Sequence, residues 1–195
     1  MQTLAALAAI IALPIVMPGP NNFIVMAESI AGGIRRAVPS ILAIAVGSAL
    51  LLAAAKGLLA FHFMQRIVPL IGVAGCLLVA AMAGRLWMKP AEPDMLGIHS
   101  KRPIALVPFQ WVNPNSWVLA VVVATAASSA GYPDWVPIAL LAALSAAASL
   151  LWAMVGQSLA PLAANPKHGR WLNRAVAVAM FVAALQMFIS QIGEI

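Results

Sequence analysis

Apolar residues run along this chain in blocks instead of one-sided stripes. Six stretches, near 4–28, 38–60, 67–88, 104–128, 135–160 and 172–192, are hydrophobic almost throughout, whereas a surface helix of a soluble domain keeps a polar face. A helix rises 1.5 Å per residue, so about 20 apolar residues cross a hydrocarbon core of about 30 Å. The pattern predicts six membrane-spanning helices. Between them lie "AGGIRRAVP", "FHFMQRIVP", "MKPAEPDMLGIHSKRP", "SSAGYPD" and "ANPKHGRWLNR", rich in the glycine, proline and charge of backbone that leaves a helix and meets water. The expected fold class is an all-α integral membrane protein, a single transmembrane domain over residues 1–195.

Two of the blocks are interrupted. In the first, "PGPNNFIV" (18–25) sets Pro18, Gly19, Pro20, Asn21 and Asn22 among oily residues; in the fourth, "NPNSWVL" does the same with Asn113, Pro114, Asn115 and Ser116. Proline lacks a backbone N–H and clashes with the preceding turn, so each motif predicts a broken helix with carbonyls stripped of helical partners. In lipid such groups are tolerated only against protein or a water-filled cavity. The amides and N–H groups that open each second half-helix would suit a carboxylate. Aligned on the prolines, "PNNFIV" (20–25) and "PNSWVL" (114–119) mark corresponding points of two halves, 1–88 and 104–195, joined by a linker at 89–103. Three spans per half force the halves into inverted topology, and the two breaks are expected to line one substrate site. Taken singly, each motif reads better as a kink with asparagines as interhelical glue; the matched pair turns the reading to a substrate pathway.

Composition agrees with the membrane reading. Hydrophobic residues make up 64% of the 195 and charged residues 8%, against about 25% charged in soluble domains. The net charge of +6 does not form a nucleic-acid footprint. Arg35 and Arg36, then Arg85, Lys89, Lys101 and Arg102, then Lys167, Arg170 and Arg174 fall at alternate connections, with Lys56 and Arg66 the exceptions. The excess of cytoplasmic cations places those connections inside and both termini outside. The first block has no basic start and no clear cleavage site, so it reads as a retained helix.

Other chemistry is sparse. Glu28 is the lone carboxylate within a predicted span and is a candidate proton-coupling group, or else a partner of Arg35 or Arg36 at the boundary. Lys56 is expected to extend its ammonium to the lipid headgroups, or else to serve as a counter-ion. Ser145, Ser149, Trp152 and Gly156 share a helix face that lines a pore or packs, and Gly72, Cys76, Ala80 and Gly84 read as a close helix contact. His62, His99 and His168 fall in separate connections and Cys76 stands alone, so no metal set, disulfide or cofactor is expected. No hydrolase or nucleotide motif appears, and an enzyme is not expected.

"MPGPNNFIVMAESIAGGIRRAV" followed by "AIAVG", then "PFQWVNPNSWVLA" and "RWLNRAVAVAMFVAAL", resemble in order the first two helices, the fourth helix and the last helix of the LysE/RhtB family of amino-acid exporters. The chain departs from that pattern at Asn115, where the family usually has lysine, and at Val38 and Ala43, where glycine is usual. The resemblance implies a six-helix carrier in the cytoplasmic (inner) membrane. It would export amino acids or related small zwitterions on the proton-motive force. Its partners would be that substrate and the bilayer; a homo-oligomer stays open. A scaffold subunit or intramembrane enzyme is the alternative, although a scaffold needs no matched breaks and no nucleophile with a base lies at membrane depth.

Overall fold

The computed structural model describes residues 3–58, 62–88 and 103–192. Regular structure among them is helical: α1 (Leu4–Val16), α2 (Pro20–Leu58), α3 (His62–Met88), a 3-10 turn at Pro103–Ala105, α4 (Leu106–Val112), α5 (Pro114–Ala130), α6 (Trp135–Ala163) and α7 (Pro166–Ile192). Lys89, His99, Lys101, Arg102 and the rest of the expected linker up to residue 102 lie outside the described residues.

Four helical segments have the length and apolar character to cross a bilayer: Pro20–Leu58, Leu70–Met88, Trp135–Ala163 and Lys167–Ile189. Leu4–Val16, Pro103–Val112 and Asn115–Ala130 are apolar but shorter. This differs from six hydropathy blocks because helix ends and block ends do not coincide. The block at 4–28 is divided between α1 and α2, and the block at 104–128 between α4 and α5.

Although α2 counts as one helix of 39 residues, Gly32 (φ −164°, ψ 19°) and Gly33 (φ 75°, ψ 174°) leave the helical region. Gly33 adopts a conformation that a Cβ makes costly. A straight helix would separate residues 22 and 48 by about 39 Å, yet Asn22 and Ser48 line the same cavity. Ile24 and Val25 likewise share a hydrophobic cluster with Ile41 and Ile44. The chain therefore doubles back at the glycine pair into two limbs. Just past the turn, Ile34 N–H donates to Gln157 Oε1 at 3.1 Å, so α6 takes up one of the backbone groups that the turn releases.

The first limb is the buried centre of the molecule, with Phe23 through Ile30 all at most 9% exposed. It packs on Val79, Ala83 and Leu86 of α3 and on Leu172, Val176 and Met180 of α7. Leu7 and Ile11 of α1, Leu51 and Leu52 of the second limb, Trp117 and Val123 of α5, and Leu141 of α6 form a second cluster. Large apolar side chains also face outward, among them Leu13, Leu42, Leu77, Leu151 and Phe181. Helices in lipid gain little from hiding leucine and associate instead by close backbone approach. Gly156 shows this: a Cβ there would lie 2.3 Å from Met26 O, so only glycine lets α6 ride directly on the first limb.

One expectation from the sequence is corrected at one residue. In the small-residue row on α3, Gly72 and Cys76 are buried and Ala80 packs on the core, but Gly84 is exposed with nothing within 4 Å of a Cβ position. Four-residue steps advance 400° each and drift about 40° per step around the helix; the buried line is Cys76, Val79, Ala83 and Leu86. Lys56 places Nζ on Oδ1 of Asp134 at the start of α6. Asp134 is well exposed, and such pairs contribute about 1 kcal/mol or less.

Candidate functional site

The proline motifs act through the residues before them. Met17 precedes Pro18 and is extended (φ −60°, ψ 147°), as the clash of a proline ring with a preceding α conformation requires. Asn113 precedes Pro114 and is extended for the same reason (φ −84°, ψ 112°). Pro20 and Pro114 then occupy the first positions of α2 and α5. At a first position the missing N–H has no helical partner to lose and the fixed φ is already helical.

The carbonyls released at the first break are taken by side chains. Asn22 Nδ2 donates to Ile15 O (2.9 Å) and Met17 O (2.8 Å), and Trp152 Nε1 donates to Val16 O (3.1 Å). The indole of Trp152 also meets Phe23 edge-on at 5.8 Å. At the second break Trp117 Nε1 donates to Trp111 O at 2.7 Å. Asn113 caps α5, its Oδ1 accepting from Asn115 N–H (3.2 Å) and its backbone oxygen from Ser116 N–H (3.1 Å). The donors that open α5 are thus occupied within the break, and Asn22 spends its amide protons on α1.

Gln110 joins the two breaks. It is fully buried, and its amide pairs reciprocally with that of Asn21: Asn21 Nδ2 donates to Gln110 Oε1 at 2.9 Å and Gln110 Nε2 to Asn21 Oδ1 at 3.1 Å. Ser116 Oγ donates to the same Gln110 oxygen at 2.8 Å, and Gln110 Nε2 also reaches Leu106 O at 3.2 Å. Gly47 makes room for this side chain, since a Cβ there would fall 2.7 Å from Gln110 Cγ. Sequence reading did not single out Gln110, although an amide alone among the apolar residues of "LVPFQWV" was a signal, because a polar group in such surroundings needs a partner.

Around this bridge is a cavity of about 40 Å³. Gly19, Pro20, Asn21 and Asn22 of the first motif and Asn113, Asn115 and Ser116 of the second all line it. Pro18 is exposed outside it, and Pro114 contributes the opening residue of α5. Ser48, Ser145 and Ser149 complete the polar wall; none of the three had been assigned to the site, though the last two belong to the small-residue stripe of α6. That stripe divides by depth: its serines face the cavity, Trp152 holds Val16 O, and Gly156 packs on Met26. The cavity is partly open and has room for water-sized molecules between these side chains. Among the described residues His, Cys, Asp and Glu nowhere gather in a group of three, and the wall offers amides and hydroxyls.

Glu28 stands apart from this wall. It is 8% exposed, faces Ser40 and Arg36 from across the glycine turn, and its Oε2 has no hydrogen-bond partner.

A family model described as LysE type translocator matches residues 12–191, both breaks included. The chain belongs to that family. Comparison with curated proteins and with solved structures gave no match. As a LysE type translocator it is a multi-pass membrane protein of a transporter family, in agreement with the resemblance carried by "MPGPNNFIV" and "PFQWVNPNSW". The cavity of this translocator is therefore bounded by apolar helices whose outward faces meet lipid.

The hydrogen bonds separate two asparagines of this translocator that sequence reading treated alike. Asn22→Ala takes the donor from two part-buried carbonyls, at a cost up to about 1–3 kcal/mol each, and is expected to lower the melting temperature along with transport. Asn115→Ala removes an amide from the cavity wall and is expected to reduce transport at least tenfold with the melting temperature nearly unchanged. Thermal melts of purified protein beside transport rates distinguish the two.

Proposed function

We propose that this translocator is a secondary exporter of amino acids or related small zwitterions across the cytoplasmic (inner) membrane, driven by the proton-motive force. The observation that carries this reading is that the two proline motifs, 94 residues apart at Pro20 and Pro114, bring amides and hydroxyls, beside apolar side chains, to one cavity and share Gln110 as a hydrogen-bond partner. In this reading residues 1–88 and 104–195 are two inverted three-helix halves, with helices one and four broken, a cytoplasmic linker at 89–103 and both termini outside. The alternation of cations supports that orientation.

The wall favours a solute with both donors and acceptors and little net charge. The amides of Asn21 and Asn115 and the hydroxyls of Ser48, Ser116, Ser145 and Ser149 can each give or accept a hydrogen bond, and none carries charge. A fully ionic substrate would lose its hydration without a counter-ion, whereas a zwitterion compensates part of its own charge. Asparagine at 115, where the family usually has lysine, keeps the wall neutral. Glu28 is the candidate for proton coupling, because a carboxylate deep among apolar residues is retained only where something other than packing requires it.

The test is counterflow in proteoliposomes preloaded with individual unlabelled amino acids. A carrier accumulates the matching labelled amino acid transiently above its outside concentration, and export down an imposed proton gradient should accompany it. Glu28→Gln is expected to retain counterflow while losing the response to the gradient. Absence of counterflow with every member of the panel, from protein whose incorporation and melting temperature are normal, would overturn the assignment.

A further inference from the structure

Away from the cavity, the outer face of α3 and α7 combines two features that the transport reading leaves unused. Lys167, Arg170 and Arg174 line a pocket of about 320 Å³ at the start of α7. Gly84 and Trp87 of α3, with Val178 and Phe181 of α7, are among the walls of an apolar groove of about 310 Å³. The two hollows share a boundary, since the guanidinium of Arg174 lies over the ring of Trp87, 5.3 Å from its centroid.

Helical spacing makes this one continuous strip. Residues 167, 170, 174, 178 and 181 follow steps of three and four along one face of α7, and from Arg174 to Phe181 the helix rises about 10 Å. The strip begins with cations, passes the half-exposed Trp87 and the exposed Trp171, and continues as bare hydrocarbon surface. Tryptophan favours the level of the headgroups, so the cations stand at phosphate height and the groove at acyl-chain depth. Gly84 keeps the groove open, with nothing within 4 Å of a Cβ position. None of the three cations has a carboxylate partner among the described residues.

We propose that this strip is a binding site for one anionic phospholipid, with the phosphate held by Lys167, Arg170 and Arg174 and an acyl chain lying in the groove past Gly84. Charge complementarity selects the occupant. A zwitterionic lipid brings no net charge to a cluster of three cations, and a soluble phosphate leaves the apolar groove unfilled. A second copy of the chain docked symmetrically would bring its own cations against these.

The test needs no transport assay and is independent of the transport reading. Purified protein stripped of lipid is titrated with phosphatidylglycerol, phosphatidylcholine or inorganic phosphate, with bound lipid counted by native mass spectrometry and stability followed by thermal melting. Wild type is expected to retain one phosphatidylglycerol and melt higher with it. R170Q/R174Q should bind it about 30-fold more weakly, each cation at an anionic lipid surface contributing about fivefold. Gly84→Leu fills the groove without touching the charge and should weaken binding as well, while both variants without lipid melt as the wild type does. Equal retention of phosphatidylcholine, an equal rise in melting temperature with inorganic phosphate, or undiminished phosphatidylglycerol binding in both variants would each overturn the proposal. So would disulfide cross-linking between copies through Gly84→Cys in a Cys76→Ala background that phosphatidylglycerol fails to suppress, since the face would then belong to a dimer.

Discussion

Pro114→Ala is expected to abolish transport while moving the melting temperature by only a few degrees, whereas Pro20→Ala alone should leave much of the activity. The asymmetry follows from how each break is held. At the second break a single ring, that of Pro114, keeps Asn113 out of the helical region. Alanine there lifts the restriction and restores an N–H, so the 7 residues of α4 and the 17 of α5 can join through Asn113 into one helix. In a continuous helix residues six apart lie about 240° around the axis from one another. The bonds from Ser116 to Gln110 and from Trp117 to Trp111 O therefore cannot survive the joining. The net effect on stability is small, because proline at a first helical position costs little and the regained ladder bonds offset those lost. At the first break Pro18 still holds Met17 extended when Pro20 is replaced, and only Pro18→Ala/Pro20→Ala together should match Pro114→Ala. Full counterflow by Pro114→Ala in a folded protein would refute the central-site reading, and failure of that variant to accumulate would mean that the ring serves packing.

Gln110→Leu should be the most damaging single change at the cavity, in stability and in activity together. Leucine is close to glutamine in volume but offers nothing to Asn21 Nδ2, Asn21 Oδ1 or Ser116 Oγ. These groups are part-buried on the cavity wall, so each one left unpaired costs up to about 1–3 kcal/mol, and a loss of stability is expected with transport at background. A double-mutant cycle with Asn21→Ala isolates the bridge: if the two amides act as a unit, Asn21→Ala/Gln110→Leu is little worse than Gln110→Leu alone. Strictly additive losses would show that the first and second breaks are independent.

Much of this was legible in the residues. Hydrophobic blocks and scarce charge required helices in lipid, because only closed backbone hydrogen bonding survives there. That helices would begin at Pro20 and Pro114 was readable as well, because a proline acts on its immediate neighbours and needs no tertiary contact to do so. The family could be named from "MPGPNNFIV" and "PFQWVNPNSW" for the same reason, their order along the chain being a one-dimensional property.

What distance along the chain conceals had to come from the fold. Nothing local in "LVPFQWV" says that Gln110 meets Asn21, 89 positions earlier. Local pattern also misjudged Gly84, because whether a small residue is a contact or a gap depends on the helix opposite it. Asn21 and Asn22 are adjacent and chemically identical, yet one bonds Gln110 of α4 and the other bonds Ile15 O and Met17 O at the end of α1. The sequence by itself determined that this chain is helical, belongs in a membrane and interrupts two of its hydrophobic blocks, since those follow from bonds and solvation within a few residues. Only the tertiary structure decided which polar groups share a cavity and which merely replace lost helical partners, because hydrogen bonds in an apolar interior are allotted by three-dimensional proximity, and the turn at Gly32 and Gly33 sets that proximity.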